Sequence, residues 1–220
     1  MSKYKLVCFD VDGTLVDNVI YSWELFHDYF KVDMDKRDEM RQKFFKGEID
    51  YLEWANHDIG MWIEKGATKD DFFKAMKNLK LMEGAMETIM ALKKKGIKLA
   101  IVSGSLDIIL EKFIPNYKDL FDDVFLSHMI FDDKGKLIGA NVTQYDMDKK
   151  ADALKKVAER EGIDLKHTVH IGDHHNDVGI AKIAGLSIAF DCKDDGLREV
   201  ADVVIDKKDL REVLKHIIPD

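Results

Sequence analysis

The sequence predicts an α/β protein: a doubly wound, Rossmann-like parallel sheet with a small helical cap inserted after its first strand. Three observations support this. Short apolar runs alternate with amphipathic stretches from residue 83 onward, the pattern of strands linked by helical crossovers. Polar motifs stand where those apolar runs end. Residues 19–79 break the alternation, with aromatics and methionines at helical spacing and no strand pattern.

Taken in order, KLVCFD (5–10) is a short continuous apolar run, as in a strand buried on both faces. The next segment opens with Tyr21, Trp23, Leu25, Phe26, Tyr29 and Phe30, and continues through YLEWANHDIGMWIEK (51–65) and KDDFFKAMKNL (69–79). We expect about four helices there. EGAMETIMALKKKG (83–96) is an amphipathic helix closing on a glycine. IKLAIVSGS (97–105) is a strand running into a glycine turn, and LDIILEKFIPN (106–116) a helix. DDVFLSHMIFDDKGKLIGANV (122–142) is a strand and hairpin with DDKG at the turn. DKKADALKKVAEREG (148–162) is a helix with a glycine stop. HTVHIGD (167–173), NDVGIAKIAG (176–185) and LSIAF (186–190) follow as strand, helix and strand. DVVI (202–205) is a last strand and DLREVLKHII (209–218) a closing helix, within a charged run, KDDGLREVADVVIDKKDLRE, that reads as solvated surface. Right-handed crossovers then place helices on both sheet faces. The expected division is a core of residues 1–16 and 81–220 and a cap of residues 17–80.

Composition narrows the function classes. A chain of 220 residues, 46% hydrophobic and 35% charged, accommodates one core with a modest insertion. A net charge of −8 argues against general nucleic-acid binding, which needs a cationic surface. Two cysteines, Cys8 and Cys192, give no disulfide framework, and Cys8 in its apolar run reads as a core residue. MSKYKLVCFD lacks the apolar stretch of a signal peptide, and no run approaches a membrane span. The expectation is a cytoplasmic monomer or homodimer without membrane or nucleic-acid partners.

Ligands of an open parallel sheet bind at the carboxyl ends of its strands. Three predicted strands end in polar signatures: Asp10-Val11-Asp12-Gly13-Thr14, Ser103-Gly104-Ser105, and Gly172-Asp173-His174-His175-Asn176-Asp177. Lys149 and Lys150 open the helix between the second and third, and Lys150 fits the helix spacing better. Asp10, Asp12 and Asp17 directly follow a buried strand, where carboxylates repel one another unless positive charge sits among them. Asp10 and Asp173 can share a hard cation through oxygen ligands, and Mg²⁺ suits such a site because it keeps waters and a phosphate oxygen. Asp10 can then attack phosphorus, and Asp12 can exchange the proton of the leaving oxygen. Ser103 and neighbouring backbone N–H groups can hold phosphate oxygens, while Lys150 neutralises charge. Asn176 is a candidate substrate contact. Adjacent His174 and His175 should point apart, and no further ligand stands at zinc spacing.

DVDGT, a strand-end Ser-Gly, a helix-opening Lys and GDHHND, in this order, resemble the haloacid dehalogenase-like phosphotransferases across the chain outside the cap. The resemblance implies Asp10 as nucleophile and Asp12 as acid/base. It implies Mg²⁺ on the Asp10 carboxylate, the Asp12 carbonyl and Asp173, with Asp177 supporting the metal site. It also implies phosphate held by Ser103 and Lys150, and Gly104 beside Ser103 is a further expected substrate contact. An Asp at position 12 favours phosphate esters over dehalogenation. The insertion looks like the family's first type of cap, and the hairpin at 129–139 and the tail at 184–214 resemble the phosphoserine phosphatase family. Two positions depart from that family: Val19 stands near its amine-binding Glu, and Asp58 about where its carboxylate-binding Arg belongs. Arg37 and Arg41 are available as replacements, and Trp23, Tyr51 and Trp54 are candidates to line the pocket. The expected function is a Mg²⁺-dependent phosphatase acting on a small phosphorylated metabolite through an aspartyl-phosphate. The alternatives are a phosphotransferase or mutase of the same superfamily, and a non-catalytic phosphate-binding regulatory module.

Overall fold

A computed structural model describes residues 2–218. The first strand, β1 (Leu6–Phe9), is buried throughout. A two-residue strand, β2 (Val16–Asp17), pairs antiparallel with β3 (Lys80–Leu81). The helical insertion is strung between them: α1 (Ser22–Phe30), α2 (Met34–Phe45), α3 (Tyr51–Glu64) and α4 (Lys69–Ala75). The core then continues as α5 (Ala85–Lys94), β4 (Lys98–Leu106), α6 (Asp107–Phe113), α7 (Tyr117–Leu120), β5 (Asp123–Phe131) and β6 (Leu137–Asn141). It closes with α8 (Lys150–Glu161), β7 (Thr168–Gly172), α9 (Val178–Ala181), β8 (Leu186–Phe190), α10 (Asp195–Val200), β9 (Val203–Ile205) and α11 (Leu214–Ile217).

The seven-stranded sheet has the order β6-β5-β4-β1-β7-β8-β9 and is parallel except for the β5–β6 hairpin. The chain leaves β1 toward β4 on one side and later returns to β7 on the other, so the topological switch lies at β1. Phe9 is in register with both Ile101 and Ile171, which brings the three strands to one edge together. Strand alternation feeds two cores. Val7 and Phe9 join one cluster, while Leu6 and Cys8 pack with Ala153, Leu154 and Val157 of α8 on the other. In the insertion, Phe26, Trp62 and Phe72 interlock edge-to-face at centroid distances of 4.8–5.8 Å. Two of its helices start on capping boxes: Asp50 with Glu53 at α3, Thr68 with Asp71 at α4.

Four sequence expectations need correction. β4 does not stop at a turn but runs to Leu106, with a register shift against β5 between Val102 and Leu106. The irregularity turns Ser103-Gly104-Ser105 toward the edge without ending the strand. The helix expected at 176–185 shrinks to a 3₁₀ turn and the four-residue α9. The helix ends at Ala181, and Gly185, just before β8, passes so near the Lys166 carbonyl that a Cβ would lie 2.2 Å from that oxygen. The closing helix is half 3₁₀, Leu210–Val213, before α11. The charged run after Cys192 is more than solvated surface. The Asp194 carboxylate accepts the Leu197 N–H at 2.8 Å, which starts α10 and buries Leu197. No helix among the described residues is long and apolar enough to cross a membrane.

Candidate active site

β1 ends by handing the Asp10 N–H to the Ile171 carbonyl at 2.9 Å, which fixes Asp10 at the carboxyl edge beside β7. One oxygen of Asp10 accepts Lys150 Nζ at 2.8 Å, and the same ammonium reaches Asp177 Oδ1 at 2.8 Å. Lys150 is fully buried at the start of α8, whereas Lys149 is exposed. Both oxygens of Asp177 are engaged: Oδ1 also meets His170 Nε2 at 3.1 Å, and Oδ2 accepts the N–H groups of Asp173 and His174. Asp10, Asp173 and Asp177 together offer oxygens that all lie within 4.8 Å of one another. Gly13 makes the approach possible. Its φ is +73°, and a Cβ would stand 2.2 Å from an Asp173 oxygen.

The positive groups here are Lys150 and Lys193, the latter 3.1 Å from Asp173 Oδ2. They face four buried carboxylates: Asp10, Asp12, Asp173 and Asp177. Burial pushes the Asp10 carboxyl up to about 7, against the pull of Lys150. Burial and then the Asp10 charge push Asp173 up to about 8, with Lys193 opposing. Burial would raise Asp177 too, but Lys150 and His170 outweigh it and hold that carboxyl well below the usual range. A carboxyl whose pKa is raised on folding binds more protons folded than unfolded, so its effect on stability turns unfavourable as pH rises. The metal-free protein is therefore expected to lose stability between about pH 4 and pH 8, the window set by Asp10 and Asp173. Asp177 stays ionised in the folded protein across that window, so it adds an opposing slope only at the acid edge, where the unfolded carboxyl still titrates. Thermal melts at several pH values in a chelator check this, and a midpoint that rises toward pH 8 contradicts it.

Asp12 is held apart from this cluster. Its Oδ2 accepts the Ser22 N–H at 2.7 Å, and its Oδ1 accepts the Ser105 hydroxyl at 2.9 Å. Burial raises its pKa, which favours a carboxyl able to carry a proton. Ser103 Oγ accepts the Ser105 N–H at 3.2 Å. A Cβ on Gly104 would lie 1.9 Å from Asp146 Oδ2, so the backbone passes directly under that side chain. Asp146 joins core to insertion: Tyr51 donates to one oxygen at 2.9 Å and Asn176 Nδ2 to the other at 3.1 Å.

These groups floor a cavity of about 210 Å³ whose walls include Trp23, Arg37, Tyr51 and Trp54 from the insertion. Asp10, Asp12, Ser103, Gly104, Asp173 and Asn176 line it, while Lys150 and Asp177 stand behind its floor. Asp17 lies elsewhere, bonded to Lys208 and near Lys80 at 3.4 Å, beside the β2–β3 ribbon. Cys8 is fully buried and its thiol is pushed up by burial, as befits a core residue. His174 and His175 do not point apart. Their Nδ1 atoms meet at 2.8 Å because His174 Nδ1 folds back to accept the His175 N–H, and Tyr21 OH joins both.

Sequence reasoning missed Ser22, Ser105, Asp146, His170 and Lys193. Ser105 had a signal, as the second serine of a strand-end SGS. The others act through contacts that span 7 to 95 residues and follow no local periodicity.

A sequence profile of the haloacid dehalogenase-like hydrolases matches residues 4–185. The chain is 35% identical over 219 residues to a phosphoserine phosphatase of Methanocaldococcus jannaschii, with 98% of each chain covered. It is 30% identical over 219 residues to a phosphoserine phosphatase of Lactococcus lactis, covering 99% of this chain and 97% of the relative. A substrate-bound phosphoserine phosphatase structure superposes with a TM-score of 0.75 at 33% identity, covering 99% and 100% of the two chains. A structure of an analogue of the phospho-aspartyl intermediate of phosphoserine phosphatase gives 0.74 at 34% identity, covering 97% and 99%.

Proposed function

The chain belongs to the haloacid dehalogenase-like hydrolases and is a phosphatase, and from that premise we propose that it cleaves a small phosphate ester through a phosphoryl-Asp10 intermediate. The observation that carries this reading is the buried cluster of Asp10, Asp173 and Asp177, with Lys150 bridging Asp10 and Asp177, at the carboxyl edge of β1 and β7. The free oxygen of Asp10 attacks phosphorus as the ester oxygen departs, and Asp12 gives that oxygen its proton. Water then attacks the same phosphorus, passes a proton to Asp12 and releases inorganic phosphate from Asp10. Ser103 and the N–H groups near Gly104 hold phosphoryl oxygens, and Lys150 balances charge on the transferring group.

The residues fit a divalent cation. Three buried carboxylates converge with too little positive charge, and the Lys193 ammonium lies against one of them. Mg²⁺ would be held by the Asp10 and Asp173 carboxylates and the Asp12 carbonyl. When bound it offsets the repulsion between Asp10 and an anionic phosphoryl group. Asp177, with both oxygens engaged, acts as a positioning residue for Lys150 and for the Asp173 loop. Residues 17–80 form a cap that excludes bulk water, joined to the core through the β2–β3 ribbon. Phosphoserine is the first substrate to test, since the relatives compared above carry that name.

Phosphate release from a panel of phosphorylated metabolites, with and without Mg²⁺, tests this reading. Release by wild type that depends on Mg²⁺ supports it, and no release from any ester by folded protein counts against it. Asp12→Ala is expected to slow alkyl esters by about 10²- to 10⁴-fold, and p-nitrophenyl phosphate far less, because its leaving group needs no proton. Equal losses on both esters remove the proton-transfer role from Asp12.

A further inference from the structure

Arg37 is the one buried residue of α2, a largely exposed helix that also leans Phe44 on Trp54 of α3. Its side chain is 10% exposed and lines the cavity above Asp10. Among the described residues no acceptor lies within hydrogen-bond distance of its guanidinium. The nearest are Asp58 Oδ2, 3.7 Å from Nε, and Glu24 Oε1, 3.9 Å from Nη2. Nε is buried with no partner. Asp58 is already engaged, since it accepts His27 Nε2 at 3.0 Å. His27 Nδ1 in turn accepts Trp62 Nε1 at 3.0 Å, which assigns the imidazole proton to Nε2. A buried guanidinium whose donors are unmatched is costly, and its cost is relieved when an oxyanion completes it.

Two other buried polar atoms of cavity-lining residues also lack partners. One is a donor, Trp54 Nε1. The other is an acceptor, Asn176 Oδ1, whose orientation follows from Nδ2 donating to Asp146. Arg41, one turn along α2, lines the same cavity. Of the cavity's cap-side and upper carboxylates, Asp58 is bonded to His27, Asp146 to Tyr51 and Asn176, and Glu24 is mostly exposed. The interior donors therefore outnumber free acceptors, and an ammonium group placed there would face Arg37.

We propose that Arg37, with Trp54 beside it in the cavity wall, forms an oxyanion subsite for the leaving alcohol, selecting esters that carry a carboxylate or a second phosphoryl group whether or not they carry an amine. The subsite rests on the phosphatase reading above and adds to it the class of substrate. Arg37 reads the far end of the ester, while Asn176 Oδ1 accepts from a hydroxyl or other donor nearer the phosphoryl group.

The test compares kcat/KM for five monoesters: phosphoglycolate (carboxylate alone), phosphoserine (carboxylate and amine), phosphoethanolamine (amine alone), ethyl phosphate (neither) and propanediol bisphosphate (second phosphoryl). The anionic esters are expected to exceed ethyl phosphate and phosphoethanolamine by about 10- to 100-fold, mainly through KM, as for a charge-assisted pair. The carboxylate and bisphosphate arms tell the two oxyanions apart. Arg37→Met should collapse that ratio toward one, and Arg37→Lys, which keeps the charge but not the planar fork, should retain part of it. A flat ranking in wild type, a requirement for the amine, or a ratio unchanged in Arg37→Met overturns the proposal. Should no ester turn over, the phosphatase reading fails, and the subsite is decided by calorimetry with phosphonoacetate against methylphosphonate. Tighter binding of phosphonoacetate that Arg37→Met abolishes sustains it, and equal binding overturns it.

Discussion

Replacing Asp10 by asparagine is expected to lower kcat by at least about 10⁴-fold while the protein keeps its fold. The loss is chemical. One oxygen of Asp10 accepts Lys150, and in the proposed mechanism the other meets phosphorus; a carboxamide offers no anionic oxygen there. The fold survives because the carboxamide oxygen still presents an acceptor to Lys150. The substitution also removes a negative charge from a cluster in which burial already raises Asp10 to about 7 and Asp173 to about 8. The melting midpoint of the metal-free variant at pH 8 should therefore equal or exceed that of wild type. Steady-state rates beside thermal melts separate the two effects. Retained turnover takes the nucleophile role away from Asp10.

Lys150→Met carries the largest expected effect on stability. The ammonium is fully buried and 2.8 Å from both Asp10 and Asp177, so the variant leaves two carboxylates facing each other with their cation gone. Breaking a buried ion pair from one side costs about 3–5 kcal/mol. For a chain of this size that is a fall in melting midpoint of about 6–20 °C. The deficit has a pH signature. In wild type, Lys150 holds Asp177 ionised well below the usual range; without it, both carboxyls rise and the folded variant takes up protons. The gap from wild type should be widest above about pH 7 and narrow toward pH 5. A gap that stays constant with pH would mean that lost packing of the lysine stem, not its charge, dominates.

The fold was legible where the physics is local. Alternating apolar runs and amphipathic stretches follow from short-range periodicity, and they placed the sheet strands and the longer helices within a few residues. The β2–β3 ribbon was not legible, because two residues cannot display a period of two. Nor was α10, whose single buried Leu197 is hidden among charges. The meeting of His174 with His175 depends on a 3₁₀ turn that sequence spacing does not express.

The site divides in the same way. Residues at strand ends and helix starts, such as Asp10, Ser103, Lys150 and Asp173, are visible because topology alone brings those positions to one edge. Ser22 on Asp12, Lys193 on Asp173 and Tyr51 on Asp146 join segments 10 to 95 residues apart through side-chain reach, which no local pattern encodes. Arg37 was visible as a residue, but its burial without hydrogen-bond partners emerges only when α2 is laid over the cavity. Asp58 shows the same limit, since its partner His27 lies 31 residues away on another helix.

The most direct test of the account is chemical trapping of the intermediate. Wild-type protein is mixed with a phosphate ester and Mg²⁺, quenched within one turnover, and treated with borohydride, which reduces an acyl phosphate to an alcohol. The account predicts homoserine at position 10 and nowhere else, dependent on substrate and absent in Asp10→Asn. Phosphate release with residue 10 unmodified, or a mark on Asp12 or Asp173 instead, would contradict it.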